Sequence, residues 1–102
     1  MTQRKHTSRE FERELLTLKE RLLSMGGRAE QQIAQAIEAV VRGDSALALR
    51  VVAADHQIDQ DEIEIDDLAF YILARRQPVA SDLRFIMTAL KIVTDLERIG
   101  DL

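Results

Sequence analysis

The chain is 102 residues long, which is enough for one domain with one modest core. It carries 18 acidic and 14 basic residues, and this net charge of −4 argues against nucleic acid as a partner, because phosphate binding needs a basic face. The absence of cysteine excludes disulfides and thiolate zinc sites, and no apolar run approaches the ~20 residues of a membrane span. One proline, four glycines and 4% aromatic residues favour a few long helices.

The first predicted helix covers about residues 8–42 and follows a flexible basic tail at residues 1–7. Thr7 and Glu10 have the spacing of a capping box, and apolar residues then recur every three or four positions. Gly26–Gly27 lies inside this pattern, but the apolar spacing resumes within one turn, so we expect one unbroken helix. Because each glycine costs about 1 kcal/mol in a helix, the pair indicates close approach of a neighbouring backbone.

Two turn signals separate the next helices. Gly43 suits the position after a helix end and Asp44 suits an N-cap, so a second helix is predicted over about 45–77. Pro78 ends that helix, because the residue before a proline is pushed out of helical space, and it can open the next one. The third helix is predicted over about 79–102.

These short connections make neighbouring helices antiparallel. The predicted fold class is therefore all-α, an up-down-up bundle of three long helices. The third helix is the shortest, and neither a capping residue nor a glycine tail follows Asp101. We therefore expect a truncated third helix in a piece of a longer protein.

Acidic residues form a stripe along the second helix, at the edge of its apolar face. Asp61 falls at a position where the apolar register predicts a core residue. No Lys or Arg occurs between residues 53 and 74, so nothing in the helix itself compensates these charges. A solvated acidic face is one interpretation, and a bound cation is the other. The stripe, spaced by four, three and four residues, consists of Asp55, Asp59, Glu62 and Asp66.

A second acidic pair lies near the end of the third helix. Glu97 and Asp101 are four residues apart and share one helix face. They lie about 20 and 24 residues after the Gln77–Pro78 turn, whereas Asp59 and Asp55 lie about 18 and 22 before it, so both pairs are about 30 Å from the turn. We expect these carboxylates to converge. Such an all-oxygen set suits Mg²⁺, Mn²⁺ or Ca²⁺, and also iron.

Two other functions are compatible with this pattern. A carboxylate-bridged iron enzyme normally uses Glu-x-x-His pairs, but the residue three positions before His56 is Ala53, so we expect an exposed His56. Tyr71, Phe70 and Phe85 are interpreted as packing residues. The other alternative is a plain helical interaction or oligomerisation module whose acidic stripe docks on a basic partner without metal.

The segment Gln77–Arg84 combines a turn with a helix start. Acidic and hydroxyl side chains in the first turn of a helix interact favourably with the positive N-terminal end of that helix. Asp82 is also placed to pair with Arg75, Arg76 or Arg84.

The chain resembles the PhoU family of phosphate-signalling regulators over about residues 8–102. Members contain two tandem three-helix repeats with Glu/Asp-x-x-x-Asp motifs, and this chain corresponds to the first repeat. The positions that carry the resemblance are Gln77-Pro78-Val79-Ala80-Ser81-Asp82-Leu83-Arg84, Leu96-Glu97-Arg98-Ile99-Gly100-Asp101, Met25-Gly26-Gly27, and Asp55 with Asp59 and Glu62.

The resemblance implies a non-enzymatic, cytoplasmic negative regulator of the phosphate-starvation response. Its implied partners are the phosphate ABC transporter and a PhoR-type sensor histidine kinase, which would place it at the inner membrane peripherally. It also implies a divalent or multinuclear metal (Mg or Mn, Fe or Zn), partner contacts at Asp82 and Arg84, and, for a lone repeat with exposed apolar surface, a homo-oligomer. Carried over by position, the implied metal ligands are Asp55, Asp59, Glu62, Glu97 and Asp101.

Overall fold

The structure, a computed structural model, describes the backbone of residues 2–100 and the side chains of residues 8–98. This part of the chain forms three helices, α1 (Thr2–Arg42), α2 (Ser45–Arg76) and α3 (Ala80–Gly100). Each helix contacts both others, and the bundle measures 62 × 20 × 15 Å. The predicted all-α three-helix fold is confirmed. No helix within residues 2–100 is both long and apolar enough to cross a membrane.

One apolar cluster runs along the bundle axis and receives side chains from all three helices. Its members recur at helical spacings, so the core follows the apolar stripes of the helices, although Ile37 and Val40 in the stripe of α1 are exposed. Phe85 is half-buried against this cluster, as predicted. The buried members are Leu18, Met25, Ala29, Ile58, Ile65, Ala69, Ile72, Ile86, Ala89 and Val93.

The two turns fix the relative orientation of the helices. Gly43 adopts φ +64°, which suits the residue after α1, and the Asp44 carboxylate accepts a hydrogen bond from the Leu47 N–H at 3.0 Å. The second turn places Gln77 in the left-handed region at φ 49°, and α3 begins at Ala80 with φ 53°. The Gly43–Asp44 turn is confirmed, whereas α3 begins after Pro78 instead of at it.

Three expectations about local structure are wrong. The helix α1 begins at Thr2, well before residue 8, because helix extension through Gln, Arg and Lys costs little once a helix exists. No atom of a neighbouring element lies within 4 Å of a Cβ built at Gly26 or Gly27, so no backbone approaches them closely. Phe70 and Tyr71 are exposed, because Ala69 and Ile72 fill the core-facing positions on either side of them.

Candidate functional site

Three acidic side chains meet between α2 and α3. Asp59 and Glu62 lie one turn apart on the face of α2 that meets α3, and Glu97 reaches them from α3. Each offers one carboxylate oxygen, and these three oxygens all lie within 4.8 Å of one another. The structure therefore brings together three of the five residues expected as ligands. We call this group the carboxylate cluster.

The carboxylate cluster is electrostatically strained at neutral pH. The pKa of Glu97 is raised to about 8, first by a hydrogen bond with Glu62, then by burial and by the charges of Glu62 and Asp59. Next to the cluster, burial and the charges of Glu62 and Asp67 raise the pKa of Asp66. Like charges this close are tolerated only if a proton or a cation lies between them. Glu97 therefore retains a proton at neutral pH unless a cation replaces it.

No basic side chain neutralises the cluster within the described part of the chain. None of the ion pairs formed by residues 8–98 involves Asp59, Glu62 or Glu97. Carboxylate oxygens are ligands for hard cations, and Mg²⁺ in particular binds through few carboxylates while keeping several waters. Three converging carboxylates without a counter-ion have the chemistry of such a site.

The other expected site residues lie in different surroundings. Asp55, one turn before Asp59, accepts a hydrogen bond from the Gln32 amide at 3.1 Å and is not part of the cluster. Asp101 lies outside the described residues. His56 is exposed, as predicted.

The two expected partner contacts lie at the start of α3. Asp82 is half-buried and Arg84 is exposed, and neither side chain forms an ion pair within residues 8–98. The expectation that Asp82 pairs with Arg75, Arg76 or Arg84 is wrong for the described side chains. The Arg76 guanidinium donates instead to Glu14 at 2.9 Å and 3.2 Å and to Glu10 at 3.2 Å.

A second acidic feature of α2, missed from the sequence, faces α1. The Asp61 side chain is only 7% exposed, and its Oδ1 accepts hydrogen bonds from Arg28 at 2.5 Å and from Gln57 at 3.1 Å. A signal for this pair did exist, because Arg28 lies 15 residues before Gly43 and Asp61 lies 17 after Asp44. The apolar register predicts a core position for Asp61, and the height of Arg28 on α1 predicts its cation.

Fold and site together define the class of this protein: a helical, carboxylate-lined bundle. The sequence profile of the PhoU domain matches residues 22–102. The chain therefore belongs to the PhoU family. It is 46% identical over 97 residues to the phosphate-specific transport system accessory protein PhoU of Serratia marcescens, and 44% identical over 97 residues to the protein of the same name from Escherichia coli K12.

The chain spans only part of these relatives. Each alignment covers 95% of this chain but 40% of the relative. The same holds for the PhoU homolog of Pseudomonas putida, which is 50% identical over 96 residues, with 94% of this chain and 38% of the relative covered. The family is thus shown for this chain, whereas the relatives continue well beyond the aligned part.

Proposed function

We propose that the carboxylate cluster binds a divalent cation or a small metal cluster and that this links α2 to α3. Asp59 and Glu62 supply oxygens from α2 and Glu97 supplies one from α3, so a cation bound to all three ties the helices together. The positive charge takes the place of the proton that Glu97 holds because Glu62, burial and Asp59 raise its pKa. The observation that carries the proposal is this uncompensated convergence of three carboxylates. Mg²⁺ and Mn²⁺ suit the oxygen donors best, and iron or zinc are the other candidates.

In its biological role, we propose that the chain is a non-enzymatic accessory of a phosphate transport system. The names of the relatives support a link to phosphate transport. We propose that it acts in the cytoplasm, peripherally at the inner membrane, as an adaptor between the phosphate ABC transporter and a PhoR-type sensor histidine kinase. In this role it keeps the phosphate-starvation response off.

The geometry suggests how metal and partner binding are connected. Glu97 lies near one end of α3, and the expected partner contacts Asp82 and Arg84 lie at the other end of the same helix. A cation that fixes α3 against α2 also fixes the position of these two side chains. We include self-association of the chain in this proposal, because apolar side chains are exposed along α1 and α2.

The proposal is tested by combining metal binding with a cellular readout. We expect Mn²⁺ or Mg²⁺ to raise the melting temperature of the chain, and a Glu62→Gln, Glu97→Gln double variant to abolish the rise. Glu64→Gln is the matched control, because Glu64 is an exposed acid on α2 outside the cluster. In bacteria lacking their own PhoU, the chain should repress a starvation-responsive reporter, and the double variant should not.

The outcomes separate the two functions left open by the sequence. Absence of any metal-dependent shift in the unmutated chain would contradict the metal site. If partner binding then proved salt-sensitive and indifferent to metal, the chain would be a plain helical interaction module instead.

A further inference from the structure

A polar cavity lies between α1 and α2, away from the carboxylate cluster. Its volume is about 220 Å³, which is smaller than the cavities that hold drug-sized ligands and suits a small molecule. Each wall is one helix face, because its residues recur at spacings of three and four. The lining residues are Arg21, Ser24 and Arg28 on α1, and Gln57, Asp61 and Glu64 on α2. We call this cavity the polar cavity.

The α2 wall supplies a buried hydrogen-bond acceptor. The Asp61 side chain is 7% exposed, and its Oδ1 atom accepts hydrogen bonds from Arg28 at 2.5 Å and from Gln57 at 3.1 Å. Its Oδ2 atom is also buried but accepts no hydrogen bond from any described residue. A buried carboxylate oxygen without a donor is costly, and a ligand that donates to it removes that cost. A ligand of the polar cavity therefore needs a hydrogen-bond donor.

The α1 wall supplies hydrogen-bond donors and positive charge. Arg21 donates to the backbone carbonyl of Glu64 at 3.4 Å, which is a neutral group, and none of the ion pairs formed by residues 8–98 involves Arg21. The Ser24 hydroxyl group follows one turn later on the same face. A guanidinium group has five N–H donors in a fork that matches a carboxylate. This wall therefore suits an anionic group.

The two walls together select against ligands of a single charge. Two bases, Arg21 and Arg28, line one wall, and two acids, Asp61 and Glu64, line the other. A simple anion is repelled by the acids of α2, and a simple cation is repelled by the bases of α1. A molecule with a negative and a positive group on separate atoms finds an opposite charge on each wall. An ammonium group also brings three N–H donors, which the buried Asp61 oxygen needs.

We propose that the polar cavity binds a small zwitterion of the amino-acid type. The carboxylate accepts hydrogen bonds from Arg21 and Ser24, and the ammonium group donates to the Oδ2 atom of Asp61. The Arg28–Asp61 pair stays intact, because it uses the other oxygen of Asp61. Since the ligand contacts α1 and α2 at once, it stabilises their association and gives the chain a small-molecule input separate from metal.

The first test compares glycine with its charge and donor analogues, in NMR titrations of the metal-free chain. Acetate and methylammonium each carry one of the two charges, and betaine carries both but has no N–H donor. Glycine should bind about tenfold or more tightly than any of the three, because each analogue leaves a polar group of the cavity without its partner. Inorganic phosphate, an oxyanion that retains an O–H group, is the fifth probe and should also bind more weakly.

Variants assign the binding to this cavity. Arg21→Gln should weaken glycine binding about tenfold or more, because the carboxylate loses its charged partner. Arg13→Gln is the matched control, since Arg13 is an exposed arginine of the same helix outside the cavity, and it should bind glycine like the unmutated chain. Arg28→Met with Asp61→Leu removes the buried acceptor and should abolish binding, with circular dichroism to verify the fold.

The metal site and the polar cavity are separately observable. The Glu62→Gln, Glu97→Gln variant should bind glycine as the unmutated chain does, because neither residue lines the polar cavity. Absence of glycine binding, equal binding of acetate, methylammonium or betaine, or tighter binding of phosphate would each overturn the proposal. An equal loss of affinity in Arg21→Gln and Arg13→Gln would also overturn it, because binding would then not depend on this cavity.

Discussion

The helix α2 carries acidic residues on two sides, and only the side that faces α1 has a basic partner among the described side chains. Towards α1, Asp61 is buried, but Arg28 and Gln57 donate hydrogen bonds to it. Towards α3, Asp59, Glu62 and Glu97 converge without any basic partner among the described side chains.

The difference separates structural from functional acids. Asp61 has a fixed cation partner at its Oδ1 atom and contributes to the fold, although its Oδ2 atom is buried without a hydrogen-bond partner among the described residues. At the carboxylate cluster, Glu62 and Asp59 raise the pKa of Glu97 instead, and an ion from solution can relieve the repulsion between these groups. Burial alone would have pointed to Asp61, the more buried group, whereas the pattern of partners points to the carboxylate cluster.

The largest expected effect comes from removing the cation beside Asp61. Arg28→Ala should lower the free energy of unfolding by about 3 kcal/mol, because a buried carboxylate loses its charged partner. This is the low end for a broken buried pair, since Arg28 is 44% exposed and water can reach the site. Urea denaturation measures the change.

Two matched variants sharpen this prediction. Arg42→Ala removes the exposed pair with Glu38 and should cost less than about 0.5 kcal/mol. Replacing both partners, as Arg28→Met with Asp61→Leu, should restore stability to within about 1 kcal/mol of the unmutated chain. Equal costs for Arg28→Ala and Arg42→Ala would remove the distinction between the two sides of α2.

At the carboxylate cluster, removal of a charged side chain should raise the stability of the chain instead of lowering it. The Glu97 pKa is about 8 in the folded chain against an ordinary value of 4.5, so the bound proton stabilises the fold fully below pH 4.5. This contribution is lost as the pH rises through 8. Because water screens this partly exposed group, only part of the full shift counts, and without metal Glu97→Gln should raise stability by about 1–2 kcal/mol at pH 9 relative to the unmutated chain.

Thermal melts from pH 4 to pH 9 would measure this effect. The gap between Glu97→Gln and the unmutated chain should widen with pH, whereas Glu64→Gln should follow the unmutated chain. Parallel curves for Glu97→Gln and the unmutated chain would show that Glu97 holds no shifted proton.

A smaller effect is expected in α1, just before Arg28. Because no neighbouring atom lies within 4 Å of its added Cβ, Gly27→Ala should stabilise the chain by about 0.5–1 kcal/mol without changing either acidic side. Gly43→Ala is the control and should destabilise it by about 1 kcal/mol, since residue 43 has φ +64°. Chemical denaturation with metal-free protein distinguishes the signs.

Much of this arrangement could be predicted from the sequence, for identifiable reasons. Helix periodicity and two turn signals defined three helices, and counting from the Gln77–Pro78 turn placed Glu97 at the height of Asp59. Counting of this kind works because, in two helices joined by a short turn, residues equally distant from the turn in sequence lie at the same height along the bundle. The ion-pair partners could not be predicted in this way, since the pairing of Arg76 with Glu14 depends on which faces of α1 and α2 meet.

Exposure was the part that periodicity could not predict. Ile37 and Val40 continue the apolar stripe of α1, yet both are exposed. A stripe shows which face of a helix is apolar, whereas burial also requires a partner at the same height. The described part of α3 does not extend to these residues.

The most direct test of the central claim is calorimetric titration of the chain with Mn²⁺ at pH 6 and pH 8.5, in buffers of different ionisation enthalpy. If the carboxylate cluster is a metal site, binding will be tighter at pH 8.5, and about one proton will be released per ion near neutral pH, because the ion displaces the proton of Glu97. The Glu62→Gln, Glu97→Gln variant will lose this binding. Equal affinity at both pH values without proton release, or unchanged binding by the variant, would contradict the claim.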